Sequence, residues 1–545
     1  MKKIVAGILA AVMILSTAAG CSTPNSAETE ANSTASATKT KTLRYALTAE
    51  PPTLDPQLSN SIPSATVEYH IFDGLMRNCE GEVKPAMAES YEMSDDGLTY
   101  TFHLRKDIKW SDGQPIKAQD FVYGMQRLMD PETASEYAFI GLVLKNGNNV
   151  NTGKMKPEEL GVKAIDDTTL EITLEYQAEY FLSMLSMASF APCREDLVKK
   201  YGKDFAGEPE NNVYNGPFVV SEWKHGDRII LKKNKDYWDA DNIKLDEVEI
   251  ITVADSNTQV AMYEQGELDF VDVPTELSAN YTGKTVQYYD GANDFIRLNM
   301  DGSNPLSNKN LRLAINYALN RKDYIQLTTN GIYEANTRYV LPQVKGVSGD
   351  YGTEYPYEAF PVEGDEAKAK EYLNTALSEL KLSQASDINL ELLTSDTETA
   401  KKEVEVIQSQ LEKTLGIKIT IKQVPYKQRL EMEAKHEFQM VVSGWVPDYS
   451  DPYSYLELFI STSPYNEGSY NSKTYDDAMA KAVVTTDPKE RMDSLFTAEK
   501  TLCEDGAVVP LQLRRKEMLV SDKLKNLKTY FVGINYDYMY ADITE

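Results

Sequence analysis

The chain has 545 residues and a formal net charge of −28, because 84 acidic residues outnumber 56 lysines and arginines. Such a surface repels phosphate backbones and anionic lipid headgroups, so the charge argues against nucleic-acid binding and against a polybasic membrane patch. A chain of this length is too long for one hydrophobic core, and two or more lobes are expected.

Residues 1–20 have the pattern of an export signal. Two lysines form a positive n-region, an apolar h-region follows over 4–15, and small residues precede Cys21. This order predicts a lipoprotein signal peptide, cleavage before Cys21, and acylation of its thiol by chains such as palmitate. Ala18 stands where such signals usually carry Leu, which leaves an ordinary secreted protein as the alternative.

Residues 21–42 consist almost entirely of Ser, Thr, Ala, Asn, Glu and Lys. A segment of this composition cannot bury enough apolar surface to order itself, so it predicts a flexible linker between the lipid and the folded part. No later run of about eighteen apolar residues follows that could span a bilayer. The predicted location is therefore the cell membrane, with the lipid-anchored protein facing the extracellular or periplasmic side.

The first predicted elements after the linker are a strand over 43–47 and a Pro-rich loop over 51–56. Clean alternation of apolar and polar residues predicts further strands over 99–105 and 169–175. Between them, Ala118 to Met129 has the helical period. Its apolar residues lie on one face, and it stops at Asp130-Pro131.

The next part of the chain predicts a hairpin with strands over 218–223 and 228–233, joined by a loop that contains Gly226-Asp227. A strand over 248–253, a helix over 257–265 and a strand over 268–273 follow. Ser256 is the predicted N-cap of this helix and Gly266 its C-terminal stop. The alternation of strands and helices predicts a partly parallel sheet.

The alternation of strands and helices continues in the C-terminal half. A helix is predicted over 309–319, a strand over 388–393, a helix over 400–415 and a strand over 418–424. The apolar residues of the second helix form a single stripe of Val404, Ile407, Leu411 and Leu415.

The chemistry of metals and nucleophiles has no signature in this sequence. Cys79, Cys193 and Cys503 show neither a CxxC motif nor metal-ligand spacing, and no disulfide is predicted among them. His103 falls on the polar side of its strand and is interpreted as a surface residue. Without a phosphate loop, HExxH or GxSxG motif, we expect no enzyme activity, no cofactor, no metal and no catalytic residue.

Two segments resemble a known family when they are taken in order. They are KWSDGQPIKAQDFVYGMQRLMDP at 109–131 and GPFVVSEWKHGDRIILKKNKDYW at 216–238. Both are similar to the extracytoplasmic solute-binding proteins of ABC peptide importers (solute-binding protein family 5), specifically the oligopeptide-binding branch. The resemblance runs from about residue 43 to the C-terminus.

The resemblance implies an α/β fold of the periplasmic-binding-protein type (type II, the class with an extra domain), with two ligand-binding lobes plus a third domain. By analogy, domain I takes 43–71, 198–292 and 515–545. Domain II takes 72–197, and domain III takes 293–514.

The strongest candidate site is the segment MVVSGWVPDYSDP at 440–452. An apolar strand reaches Gly444, whose missing side chain allows the close approach of another backbone. Pro447-Asp448 could be turn chemistry alone. The resemblance implies instead that this segment binds the ligand backbone as an added strand, and that Asp448 binds the α-ammonium group. The candidate residues here are Ser443, Gly444, Trp445, Val446, Asp448 and Tyr449.

Two further positions carry over from the resemblance. Asn60, Ser61 and Ile62 match the strand that flanks the ligand on its other side, and Tyr137 matches a cleft tyrosine of domain II. Either feature could equally be structural. Val442 departs from the pattern, because some members carry at this position an Arg that reaches the carboxylate of short peptides.

The expected function is that of a substrate-binding lipoprotein. It captures extracellular oligopeptides between two lobes and delivers them, as a monomer, to an ABC transporter permease and ATPase complex. One alternative is a receptor for another solute, such as a dipeptide, a nickel chelate or an oligosaccharide. Another is an exported hydrolase.

Overall fold

The computed structural model describes residues 40–79, 82–178, 180–463 and 465–544. The predicted signal peptide and the predicted lipidation of Cys21 lie outside the described residues. Within the described part, no helix combines the length and the apolar character that crossing a membrane requires.

The first sheet begins with the strand that follows the predicted linker. Thr42–Leu47 runs parallel to Glu247–Thr252, which pairs antiparallel with Arg228–Lys233, and this strand forms a hairpin with Phe218–Lys224. Leu43, Tyr45, Leu231 and Val248 alternate with more exposed neighbours and are buried in the core. The predicted hairpin is thereby confirmed, with Gly226 in the turn at φ 71°.

The second sheet is antiparallel, in the order Ala88–Met93, Thr99–Leu104, Thr169–Thr173, Val162–Ala164. The helix Ala118–Met129 packs against it and has the predicted bounds. Its apolar face, Phe121, Met125, Leu128 and Met129, is fully buried. The predicted strands overrun the observed ones by one or two residues at their C-terminal ends.

The third sheet is mixed. Its order is Phe270–Asp272, Val508–Val520, Val286–Leu298, Met440–Trp445, Asn389–Ser395, Lys418–Val424, with Glu334–Ala335 also paired to Val508–Val520. Asn389–Ser395 lies parallel to both Lys418–Val424 and Met440–Trp445, as the strand and helix alternation predicts. The other pairings are antiparallel. Short two-stranded ladders join Met76–Cys79 to Glu82–Pro85, Leu524–Lys525 to Asp542–Ile543, and Lys528–Thr529 to Tyr536–Asp537.

Helices cover these sheets and connect their strands. The α-helices are Ile62–Ile71, Ala118–Met129, Gly147–Asn151, Phe181–Met184, Glu195–Tyr201, Ser256–Glu264, Lys309–Ala318, Arg321–Thr329, Tyr351–Glu354, Glu366–Leu380, Glu398–Leu415, Tyr426–Ala434, Tyr453–Leu456, Lys473–Val484 and Pro488–Glu504.

One predicted cap is wrong. The helix Ser256–Glu264 has Asp255, not Ser256, as its N-cap, and the Asp255 side chain accepts a hydrogen bond from the Thr258 N–H. Asp and Ser cap equally well, so adjacent candidates cannot be separated by residue type. The predicted stripe of Val404, Ile407, Leu411 and Leu415 is confirmed, since all four are buried in Glu398–Leu415. Cys193 and Cys503 are buried and carry free thiols.

Candidate ligand-binding cavity

A cavity of about 940 Å³ lies where the ends of several elements meet. Its wall is formed by the start of the helix Ile62–Ile71, by Tyr137, and by the segment that follows the strand Met440–Trp445. Loops around 343–350 and 530–534 also line it, as do residues within 78–91 and 182–189. Its volume falls in the range of cavities that bind small-molecule ligands.

The strand Met440–Trp445 reaches the cavity with part of one edge open. Its register with Val286–Leu298 runs from Leu298 opposite Met440 to Asn293 opposite Trp445. On the other edge, Asn389–Ser395 pairs only with Met440 and Val441. Val446, the next residue after the strand, makes no main-chain hydrogen bond to the described residues. An extended ligand could therefore add to the chain at this point.

Asp448 follows directly in the cavity wall. Its N–H donates to Ser454 Oγ at 3.0 Å, and Tyr137 Oη donates to its Oδ1. Its Oδ2 is shielded from solvent and has no hydrogen-bond partner within the described residues. Burial raises the pKa of Asp448 to about 6, against the opposing effect of the Tyr137 hydrogen bond. A buried acceptor of this kind needs a donor, and a cationic donor would satisfy it best.

Tyr449 anchors the same segment. Its ring stacks on Tyr180 at 4.2 Å between centroids, and its Oη donates to Glu457 Oε1 at 3.2 Å. Burial, together with the nearby charge of Asp448, raises the pKa of Glu457 to about 8. The charge of Asp448 thus disfavours the ionisation of Glu457, which remains mostly protonated at neutral pH.

The opposite wall is held by the start of a helix. Ser61 is the N-cap of Ile62–Ile71, and its Oγ accepts from the Ser64 N–H at 3.3 Å. Asn60 Nδ2 donates to Glu136 Oε2 at 2.5 Å, while Ile62 remains 54% exposed within the cavity.

The structure brings most of the predicted site residues to one cavity. Those that line it are Asn60, Ser61, Ile62, Tyr137, Val446, Asp448 and Tyr449. Ser443, Gly444 and Trp445 belong to the preceding strand and are not lining residues. Their part in ligand binding stays a prediction.

Gly444 has a structural role that the sequence does not reveal. A Cβ atom at this position would lie 2.6 Å from Asp294 Oδ1 and 3.1 Å from the carbonyl oxygen of Asn293. Asp294 is held by Arg514, whose Nη2 lies 2.8 Å from Oδ1. The close approach expected at Gly444 is therefore made by the neighbouring strand and its ion pair.

Several lining residues were missed by the sequence analysis. Glu68, Gln343, Lys345 and Asp350 line the cavity, as does the loop 530–534. No motif marks these positions, and Glu68 sits in an ordinary helical pattern. Within the residues that the structure describes, no group of three or more His, Cys, Asp or Glu side chains is arranged to hold a metal ion.

A cavity walled by loops of several sheets, with a partly open strand edge and a buried carboxylate beside it, is typical of a ligand-binding protein. The likeness to solved solute-binding proteins assigns the fold to the type II periplasmic-binding class. The chain belongs to family 5 of the bacterial extracellular solute-binding proteins, whose family model for the middle region matches residues 82–467.

Curated relatives and solved structures extend this likeness over nearly the whole chain. The dipeptide-binding protein DppE of Bacillus subtilis is 33% identical over 496 residues, which cover 90% of each chain. The substrate-binding domain of an oligopeptide ABC transporter from Bacillus anthracis superimposes with a TM-score of 0.78 and 36% identity, covering 93% of this chain and 99% of that one. The peptide-bound OppA of Listeria monocytogenes gives 0.78 and 31%, with the same coverage.

Proposed function

We propose that this protein captures extracellular peptides and delivers them to the permease and ATPase of an ABC importer, held at the outer face of the membrane by lipid on Cys21. The observation that carries the proposal is Asp448. Its Oδ2 is buried without a partner in the described part of the chain, and the carboxylate lies next to an unpaired main chain at Val446.

The chemistry of a peptide fits both features at once. Its α-ammonium group supplies the charged donor that Asp448 lacks. Its backbone supplies hydrogen-bond partners for the N–H and C=O groups of Val446. Recognition through main-chain groups is independent of side-chain identity, which suits the import of mixed peptides. An oligosaccharide would meet neither demand as well, because it carries no ammonium group.

The relatives support the same ligand class. Two of them are named for their ligands, the dipeptide-binding protein DppE and the oligopeptide-binding protein OppA of Bacillus subtilis, the latter 30% identical over 497 residues. The Listeria monocytogenes protein was solved with a peptide bound. Members of this family are solute-binding proteins, and we extend this to the proposal that the chain is not an enzyme, needs no cofactor and works as a monomer.

We further propose that binding closes two lobes. In this proposal domain I comprises 43–71, 198–292 and 515–545, domain II comprises 72–197, and domain III comprises 293–514. Support comes from Tyr137 and Tyr180 of the proposed domain II, which contact Asp448 and Tyr449 of the proposed domain III. Closure would complete a site to which several segments contribute.

Thermal melting with different solutes tests the proposal. A ligand that binds only the folded state stabilises it by about 2.7 kcal/mol at a hundredfold excess over Kd. A mixed pool of unmodified peptides should raise the melting temperature, and native mass spectrometry should show peptides bound to the purified protein. A shift with an oligosaccharide or a nickel chelate but none with peptides would overturn the proposed ligand class.

A further inference from the structure

The cavity contains a second buried carboxyl group that the α-ammonium site does not use. Glu68 lies in the helix Ile62–Ile71, and its side chain lines the cavity while the residue is only 1% exposed. Its Oε1 makes no hydrogen bond to any described residue. An unpaired buried acceptor costs stability, so this oxygen needs a hydrogen-bond donor.

Glu68 lies on the face of the helix Ile62–Ile71 that lines the cavity. Ile62, Ala65, Glu68 and Tyr69 are the lining residues of this helix, and their spacing of three and four places them on one face. Tyr69 packs with Tyr530 and Ile534 from the far loop. Glu68 adjoins Tyr69 and is almost fully buried, so an ion pair there is poorly screened by water.

The electrostatic balance of the lining favours a cation. Among the described residues the wall carries the carboxyl groups of Glu68, Glu82, Asp350 and Asp448 against a single ammonium, that of Lys345. Burial is the main cause that raises the pKa of Glu68 to about 8, a hydrogen bond with Ser59 opposes it, and the nearby Asp55 adds to it. At neutral pH the carboxyl group of the ligand-free protein is therefore mostly protonated, and a bound cation has to displace this proton. Gln343 also lines the cavity and has a buried Oε1 without a partner in the described chain. The unpaired buried atoms of this wall, within the described residues, are oxygens that can accept hydrogen bonds, so a ligand that brings donors fits it.

We propose that Glu68 binds a cationic side chain of the ligand, so that the protein prefers peptides carrying lysine or arginine over neutral peptides of equal size. This inference rests on the proposed peptide-binding function and adds a side-chain preference to it. Asp448 binds the α-ammonium group in every peptide, whereas Glu68 acts only when a basic side chain occupies its part of the cavity.

The test is a scan of alanine-based peptides with one lysine at each position in turn, each compared with the peptide that carries norleucine instead. Norleucine keeps the aliphatic chain and removes the charge. Calorimetry on the purified protein should show one position at which lysine binds about tenfold or more tighter than norleucine. Glu68→Gln should abolish this ratio and leave the affinity for the norleucine peptides nearly unchanged.

Glu82→Gln is the matched control, because Glu82 lines the same cavity but its side chain is 76% exposed. It should leave the lysine preference intact. If both variants lose the lysine preference equally, the summed negative charge of the lining causes the preference, and the proposed role of Glu68 is wrong. Equal binding of lysine and norleucine peptides by the native protein would also overturn it, while peptide binding as such would stand. Failure of every peptide to bind would instead overturn the proposed function.

Discussion

Tyr137 donates a hydrogen bond to the carboxylate of Asp448 across 311 positions of sequence. The contact occupies Oδ1 and leaves Oδ2 buried and unpaired within the described residues. Burial and the negative charge of Asp448 raise the pKa of Tyr137, so its hydroxyl stays protonated and remains a donor. The pair therefore fixes the orientation of the carboxylate and leaves Oδ2 as its unpaired oxygen.

Asp448→Asn should weaken the binding of a free peptide by well over tenfold. A buried charge that loses its partner typically costs about 2 to 5 kcal/mol. The variant and the native protein are each titrated with the free peptide and its N-acetylated form. The native protein should bind the acetylated peptide poorly, and the variant should discriminate little between the two.

Asp350→Asn is the matched control for this experiment, because Asp350 is an exposed acid in the same lining. It removes an equal charge and should leave the preference for the free amino terminus unchanged. If the native protein binds both peptide forms with equal affinity, Asp448 does not hold the α-ammonium group.

Peptide affinity should fall as the pH is lowered through the pKa of Asp448. In the ligand-free protein this pKa is raised to about 6, so the group takes up a proton below that value and loses the charge that attracts the ammonium group. Binding of one proton in competition with the peptide predicts roughly a tenfold loss of affinity per pH unit below about 6. Calorimetry between pH 8 and pH 4.5 measures it.

The raised pKa of Asp448 also makes the stability of the ligand-free protein depend on pH. Because the folded state binds this proton more tightly than the unfolded state, its contribution to the free energy of unfolding decreases as the pH rises from about 4 to about 6. Asp448→Asn should flatten both pH profiles. If the Asp448→Asn variant keeps the full pH dependence of affinity, the titration of another group causes that dependence.

Gly444→Ala should destabilise the protein. The new methyl group would lie 2.6 Å from Asp294 Oδ1 and 3.2 Å from Arg514 Nη2, so the ion pair has to move. Overpacking of this kind costs about 1–3 kcal/mol and should lower the melting temperature. Gly302→Ala is the control, because a Cβ at Gly302 meets no atom within 4 Å. Equal melting temperatures for both variants would show that the site relaxes freely.

Cys21→Ser should release the protein from the membrane or leave its precursor uncleaved. Each buried CH₂ of an acyl chain contributes roughly 0.8 kcal/mol, and two chains are needed for stable anchoring. Detergent partitioning and labelling with a palmitate analogue measure both effects. A variant that is still processed and still partitions with the membrane would contradict the lipid anchor.

The sequence alone determined the elements whose pattern is local. The helix Ala118–Met129 and the strand Arg228–Lys233 could be predicted to the residue, because period, caps and turns are set by near neighbours. The importance of 440–452 came from the resemblance, and six of the ten predicted binding residues belong to that segment.

Tertiary structure alone decided what surrounds each of these residues. In the sequence, Glu68 has the pattern of an ordinary helical glutamate. The loop around Tyr530, more than 450 positions away, helps to enclose the cavity that Glu68 lines. Gly444 meets Asp294 because two distant strands share a register. The burial of a residue and the charges around it depend on many such long-range neighbours, which no local pattern records. These neighbours raise the pKa of Asp448 and leave buried oxygens without partners.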